Sequence, residues 1–332
     1  MIKTIVLKNR PKGMVSQEDF EFITELVELI ISDGELLLEL TYVSVDPYLR
    51  WRMNDVKSYT PPFELKKPIH SGAIAKVIQS KNDKFKVGEY VSGMLDWRTK
   101  QVSSGKELVK VDASKASLSS YLGILGLTGL TAYCGLTAIG KPKTGETLVV
   151  SGAAGAVGSV VGQIGKILGL RVVGIAGTDE KIEFLKTELG FDAGINYNTT
   201  KNMVEAIREA APNGVDIYFD NVGGPISDAI LFNINQFARL IICGAISVYN
   251  DVETPKSISP QPYILKSSAL MKGFIVSDFE DVFPEAREKI SNWIADEKLI
   301  NTETIINGFD QIPTTFISLF EGKNKGKLIV KI

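Results

Sequence analysis

Residues 151–169 read SGAAGAVGSVVGQIGKILG, six glycines in nineteen positions, between the apolar run LVV at 148–150 and the next one, RVVGIAG at 171–177. Glycine weakens a helix and loses more chain entropy on folding than any other residue, so a cluster where a helix should open implies that something approaches the backbone closely. Gly152, Gly155 and Gly158 stand three apart between strand and helix, a relative of the G-x-G-x-x-G fingerprint with Ala153 in the first glycine position. In such a loop the middle glycine lets phosphate oxygens reach backbone N–H groups, and the last lets the helix pack close to the strand. Alone the pattern is weak. Inside a complete strand, loop, helix, strand unit it points to a dinucleotide pyrophosphate.

Downstream the alternation repeats: RVVGIAG then DEKIEFLKTELG, AGINYN then KNMVEAIREAAP, GVDIYFDNV then GPISDAILFNI, and finally ARLIICGAI. Such alternation predicts an α/β domain, a doubly wound parallel sheet with helices on both faces. The stretch GFIVSDFEDVFPEAREKISNWIADEKLI adds one more strand and helix. Upstream, ELLLELTYVSVDPYL, GAIAKVIQS and GEYVSGMLDW alternate with Pro and Gly turns, the pattern of an irregular β barrel or sandwich. Between the two halves, 116–140 carries no charge over a length that could cross a bilayer. Its five glycines and several hydroxyls, with Pro142 following, make it buried helical turns joining two domains. The final KGKLIVKI is a strand without a partner in the second half and is expected to return to the first. The expected domains are therefore a β-rich domain at 1–121, completed by 299–332, and a dinucleotide-binding domain at 122–298.

With 332 residues the chain exceeds one ordinary core, and 44% apolar with 23% charged residues is a soluble composition. Thirty-seven basic against thirty-nine acidic residues, with no long run of either sign, argue against nucleic acid. Cys134 and Cys243, the only cysteines, sit in apolar stretches and fit a reducing compartment. The opening MIKTIVLKNRP is too soon interrupted by charge for a signal peptide, so the cytoplasm, with no membrane partner, is the expected location.

The end of the second strand distinguishes the nicotinamide dinucleotides. An NAD site places an Asp or Glu about 20 residues beyond the first glycine, against the ribose hydroxyls. Here Ala176 and Gly177 hold that place, and the segment from Thr178 to Lys181 offers a hydroxyl and an ammonium. Both suit a 2′-phosphate. The plainer reading of Lys181 is a solvated lysine, but in a helix's first turn a cation opposes the dipole, which favours the phosphate. NADP(H) is the expected cofactor.

Together SGAAGAVGSVVGQIGKILG, FDNVGG, ICGAISVYN, GFIV and, near the N-terminus, SVDPYLRWRM resemble the zinc-independent medium-chain reductases. The nearest group is that of the prostaglandin reductases, also called leukotriene B4 12-hydroxydehydrogenases, with the alkenal/alkenone double-bond reductases. The likeness runs through nearly the whole chain. It implies a Rossmann domain beside a GroES-like β-rich domain, a homodimer, and NADPH-dependent reduction of the C=C bond of α,β-unsaturated ketones and aldehydes. Hydride would go to the β-carbon and a proton to the α-carbon.

The same resemblance maps the pyrophosphate onto Gly155, Ala156, Val157 and Gly158, and the phosphoadenosine end onto Lys181 and Tyr197, beside Thr178. Asn221, then Cys243, Gly244, Ala245, Ile246, Ser247 and Tyr249, then Phe274, Ile275 and Val276, and Asn324 complete the cofactor set. The family often reads M-P-G-L-T-A-Y where 127–133 is LTGLTAY, which keeps Thr131 under the nicotinamide, and N-L-G-K where 324–327 is NKGK. Tyr249 and Tyr48 are the catalytic candidates. By residue type alone they are packing aromatics; the resemblance makes them donors to the substrate carbonyl, since a tyrosine with pKa about 10 is protonated at neutral pH.

Zinc enzymes of this superfamily need a Cys/His/acid set, and one histidine, His70, with two cysteines about a hundred positions apart supplies none. His70, between Pro68 and Gly72 at a strand start, reads as structural. Tyr197 and Lys201 match Y-x-x-x-K, the short-chain dehydrogenase spacing, but a whole β-rich domain precedes the glycine loop, so the match is coincidence. No G-x-S-x-G elbow or P-loop occurs. A quinone reductase and a non-catalytic NADPH-binding protein are the alternative functions. Substrate width depends on loops such as 250–262.

Overall fold

The computed structural model describes every residue except Thr254, which falls in the 250–262 loop; its part in pocket width lies outside the described residues. The chain divides into two compact units, one of Met1–Leu122, Thr304–Lys323 and Leu328–Ile332, the other of Gly123–Glu303 and Asn324–Lys327.

The first unit is built on a seven-stranded sheet. Strands Glu303–Asn307, Lys327–Lys331, Leu36–Ser44, His70–Ser80, Tyr90–Asp96 and Val109–Val111 lie in that spatial order, and Lys100–Ser103 pairs with Leu36–Ser44 beside them. A separate antiparallel ribbon joins Ile2–Leu7 to Phe20–Glu25. The C-terminal strand does return here, with Val330 opposite Val43 in antiparallel register. The core is aromatic: Trp97, fully buried, stacks on Phe20 at 6.3 Å and meets the edge of Phe316. A buried indole needs an acceptor, and Trp97 Nε1 donates to Ser71 Oγ at 2.9 Å.

The second unit holds six parallel strands, β1 (Thr147–Ser151), β2 (Arg171–Ala176), β3 (Ala193–Asn196), β4 (Val215–Asp220), β5 (Ile234–Ile242) and β6 (Leu270–Gly273). Their spatial order is β3-β2-β1-β4-β5-β6, the doubly wound order of dinucleotide-binding sheets. Its helices are α1 (Leu127–Cys134), α2 (Ala156–Ile167), α3 (Asp179–Thr187), α4 (Met203–Ala210), α5 (Gly224–Leu231), α6 (Gln261–Lys266) and α7 (Phe283–Ala295). Side chains alternate faces along a strand, and here both faces are buried. Leu148, Val150, Val172 and Phe219 pack with residues of α1, α2, α3 and α7, whereas Val149, Val173 and Tyr218 pack with α4 and α5.

Two expectations need correction. The units do not divide at 299: residues 299–303 stay with the second unit, and 324–327 rejoin it. The sixth strand is Leu270–Gly273, not GFIV. Phe274 leaves the sheet edge to plug the core against Phe219 and Phe279, and the Asp278 carboxylate takes the Ile275 N–H, starting a 3₁₀ segment at Val276. The uncharged 116–140 stretch becomes a 3₁₀ turn at Leu118–Leu122, then α1, then a π-helix at Gly135–Gly140. Among the described residues no helix is long and apolar enough to cross a membrane.

Candidate cofactor and active site

In an open parallel sheet, ligands bind outside the carboxyl ends of the strands where the order reverses, here between β1 and β4. The glycine loop leaves β1 at that point. Gly152 has φ +59°, a left-handed turn suited to glycine, and the Ala153 N–H bonds to Ile175 O at 3.0 Å, tying the loop to β2. A Cβ on Gly158 would lie 2.4 Å from Gly152 O, so α2 can start this close to the strand only without a side chain there. Gly155 is the N-cap of α2, and no side chain caps it. The first N–H groups of α2 thus have no internal partner and suit a pyrophosphate, as does a cradle that a Cβ would fill.

The loops after β4 and β5 are fastened by Asp220. Buried at the end of β4, its Oδ1 accepts from Ser151 Oγ, the Tyr218 hydroxyl and the N–H groups of Val222 and Gly223, all at 2.9 Å, while Ser227 Oγ donates to Oδ2. The carbonyl of Asp220 takes the N–H groups of Cys243 and Gly244. Asn221 Nδ2 donates to Ser151 O at 2.8 Å, and Ser247 Oγ to Val222 O at 2.6 Å. These two candidates spend their side chains on the loops themselves. Burial, reinforced by Asp220, pushes the Cys243 thiol up to about 12, so it stays protonated.

Tyr249 follows the short 3₁₀ turn Ile246–Val248, and its hydroxyl accepts the Ala245 N–H at 3.2 Å. Burial raises its pKa; the Ala245 N–H opposes that shift, and Cys243 and Asp220 add to it. The raised pKa keeps its proton available for donation. Tyr48 opens the Tyr48–Arg52 helix of the first unit, and there too burial, then Asp46, drives the pKa upward. The phosphoadenosine candidates converge at the tip of β2. A Cβ on Gly177 would lie 2.8 Å from the Tyr197 hydroxyl, and Asn198 Nδ2 donates to Gly177 O, so that tip has little room for the carboxylate of an NAD site.

Other placements differ from the expectation. The Thr178 hydroxyl accepts Lys181 N at 3.2 Å; it caps α3. Carboxylates do stand in this turn, Asp179 bonded by Asn196 Nδ2 and Glu180 by Lys325. Thr131 Oγ1 turns back to Leu127 O, and Asn324 Nδ2 to Gly326 O. Phe274 is buried and Val276 packs against the core, so their side chains belong to the interior. Sequence reading missed Asp220, hidden inside the FDNVGG motif, and Lys325.

His70 is accounted for in the first unit. Arg52 Nη2 lies 2.8 Å from His70 Nε2, the guanidinium sits 4.0 Å above the Phe63 ring, and burial with the Arg52 charge lowers the His70 pKa. The imidazole is a neutral acceptor. Among the described residues no three His, Cys, Asp or Glu side chains gather as metal ligands.

A doubly wound sheet with a glycine loop at its switch point defines a dinucleotide-binding oxidoreductase architecture. Family models described as "N-terminal domain of oxidoreductase" and "Zinc-binding dehydrogenase" match residues 3–111 and 156–292. Prostaglandin reductase 1 of Bos taurus is 43% identical over 99% of this chain and 98% of its own. The NADP(+)-dependent 2-alkenal reductase of Nicotiana tabacum is 36% identical over 99% and 97%. The crystal structure of CurA from Vibrio vulnificus in complex with NADPH superposes with a TM-score of 0.93, at 39% identity, over 99% of this chain and 98% of that one. The chain belongs to the medium-chain dehydrogenase/reductase family, and its two units are the GroES-like and Rossmann parts of that fold.

Proposed function

We propose that this protein is an NADPH-dependent reductase of the C=C bond of α,β-unsaturated ketones and aldehydes, acting without zinc. The observation that carries this reading is Tyr249: a half-buried hydroxyl held protonated on the loop leaving β5, beside the loops leaving β1 and β4. The 2-alkenal reductase among its relatives supports the substrate class. The residues fit the cofactor, with uncapped N–H groups of α2 for the pyrophosphate, and Lys181 with Tyr197 at the tip of β2 for the 2′-phosphate.

When bound, NADPH supplies the hydride that adds to the β-carbon. The Tyr249 oxygen accepts the Ala245 N–H, and its hydroxyl is the group that would donate to the substrate carbonyl. As negative charge collects on the substrate carbonyl, that donation stabilises it, and the proton gained from the medium ends on the α-carbon. Tyr48 stays a second candidate on the resemblance alone. The small stock of Cys and His, with His70 engaged by Arg52, supports the zinc-independent reading.

A homodimer and a cytoplasmic location belong to the same proposal. All four residues of β6 are exposed at the sheet edge, Leu270 and Met271 among them, and such an edge invites pairing with a second copy. Two free cysteines fit a reducing compartment. Light scattering after gel filtration tests the dimer and cell fractionation the location. NADPH oxidation on adding 2-alkenals or enones, against quinones and no addition, tests the reaction. Turnover with quinones alone makes it a quinone reductase; turnover with none leaves a binding protein.

A further inference from the structure

The segment 324–327 lies beside the glycine loop although it is about 170 positions away in sequence. Gly326 N donates to Ala154 O at 2.8 Å, and Gly326 forms a parallel bridge with Gly155. The approach is enforced from the other side, because Gly326 has φ +61° and a Cβ there would meet Thr302 O at 2.0 Å. The neighbouring residue is Lys325. Its Nζ reaches the first turn of α3, 2.7 Å from Glu180 Oε1 and 5.3 Å above the Phe184 ring. Lys181 stands in the same turn.

We propose that Lys325 is a specificity-determining residue that grips the 2′-phosphate of NADP(H) together with Lys181, exchanging Glu180 for the phosphate when the cofactor binds. The inference rests on the NADPH reading above. Three observations carry it. First, the anchored Gly326 fixes where Lys325 starts, so its reach to α3 is not that of a wandering surface side chain. Second, the two ammonium groups are close enough that Lys325, after burial, is the main influence lowering the Lys181 pKa. A dianion placed between them relieves that repulsion. Third, the partner Lys325 holds is the weak kind: the Glu180 side chain is 79% exposed against 33% for Lys325, and exposed ion pairs contribute little. A phosphate offers more charge and more acceptor oxygens than the carboxylate it displaces. Glu180 then acts as a placeholder that competes with the cofactor.

The proposal predicts opposite signs for the two partners of one ion pair, which a structural tie would not give. The full chain is titrated with 2′,5′-ADP and 5′-AMP by calorimetry, and with NADPH and NADH by fluorescence, with a thermal melt of each variant. Lys325→Ala should weaken 2′,5′-ADP and NADPH roughly 10-fold, the low end for one charge-assisted contact, and change 5′-AMP and NADH less than about 2-fold. Glu180→Gln should tighten 2′,5′-ADP and NADPH by about 2- to 5-fold and leave 5′-AMP unchanged. Lys325→Arg should keep the preference. Equal loss of both nucleotides in Lys325→Ala and Glu180→Gln, with lowered melting in both, overturns the assignment and makes the pair a strut. Discrimination surviving intact in Lys325→Ala overturns it as well while leaving the cofactor reading standing. Equal wild-type affinity for 2′,5′-ADP and 5′-AMP overturns the cofactor reading first, and this inference with it.

Discussion

Ser151 and Asp220 close the carboxyl ends of β1 and β4 on one another: the Ser151 hydroxyl donates to Asp220 Oδ1 at 2.9 Å and accepts the Asn221 N–H at 2.9 Å. Because the strand order reverses between these two strands, this pair sets the spacing of the crevice in which a ligand must fit. Asp220→Ala strips the acceptor from two hydroxyls beyond Ser151 and from two backbone N–H groups. One orphaned buried group costs about 1–3 kcal/mol, so the loss on urea unfolding should exceed about 3 kcal/mol. Asp220→Asn should cost less and weaken NADPH binding, since one oxygen becomes a donor among donors. Wild-type stability in both variants would remove Asp220 as the fastener.

The parts of this architecture that could be read beforehand are those where burial dictates residue type. The strands β1, β2 and β4 are buried on both faces, so they appear as apolar runs, and the glycine spacing follows from a backbone that must approach backbone. The parts that could not be read rest on long-range partners. Asp220 is a polar residue in a turn until the fold surrounds it with hydroxyls, and nothing local connects Lys325 to a helix about 145 positions earlier. The sixth strand was misplaced for a related reason: LMKG is exposed at a sheet edge and carries no alternation, whereas the apolar GFIV earned its hydrophobicity by filling the core with Phe274. Glu180 and Asp179 were overlooked because a carboxylate in a helix's first turn is ordinary.

Two glycines of α2 separate cofactor binding from packing. A Cβ at Gly158 would meet Gly152 O at 2.4 Å and Ala153 Cα at 2.8 Å, both backbone atoms of the loop itself. A Cβ at Gly162, one turn further along α2, would meet the Phe191 ring at 1.9 Å. Both alanine variants should melt lower, Gly162→Ala by the about 1–3 kcal/mol of an overpacked core. Only Gly158→Ala should also lose NADPH affinity, by an order of magnitude or more. Equal affinity in the two folded variants would detach the loop from the cofactor.

Lys181→Ala should weaken NADPH by roughly 10- to 150-fold, the range of one charge-assisted contact, and leave NADH nearly unchanged. Its pKa is lowered by burial and by Lys325, so the preference for NADPH should fade at alkaline pH earlier than for an isolated lysine. The pH dependence of the NADPH dissociation constant, measured beside that of NADH, decides this. Parallel curves for the two cofactors would sink the assignment.

Exhaustive dialysis against a chelator should leave turnover unchanged, with less than one zinc per ten subunits by elemental analysis. Arg52→Met should free His70 from its guanidinium neighbour and raise the imidazole pKa, which proton NMR of the single histidine reads directly. A stoichiometric zinc lost together with activity would show that His70 or a cysteine serves as a ligand.

Tyr249→Phe tests the chemistry. The Tyr249 pKa is raised by burial, so the folded protein holds the protonated hydroxyl more firmly than the unfolded chain does. Stabilisation from that group is therefore complete below about 10, the unfolded value, and is lost as pH rises through the higher folded value. The rate of enone reduction should accordingly show no basic limb from Tyr249 at any pH below about 10. Removing the hydroxyl should lower kcat by about 10- to 10³-fold, the span that general-acid and oxyanion groups supply. It should leave the NADPH dissociation constant within about 2-fold, because the adenosine end is bound elsewhere. The same variant also loses the acceptor of the Ala245 N–H, so a small fall in melting temperature is expected and does not count against the role. What distinguishes donation from packing is the substrate dependence: the loss should grow with the charge that collects on the carbonyl, and be greater for a ketone than for an aldehyde of equal size. Wild-type turnover, or a loss explained wholly by weaker NADPH binding, would take Tyr249 out of the active site.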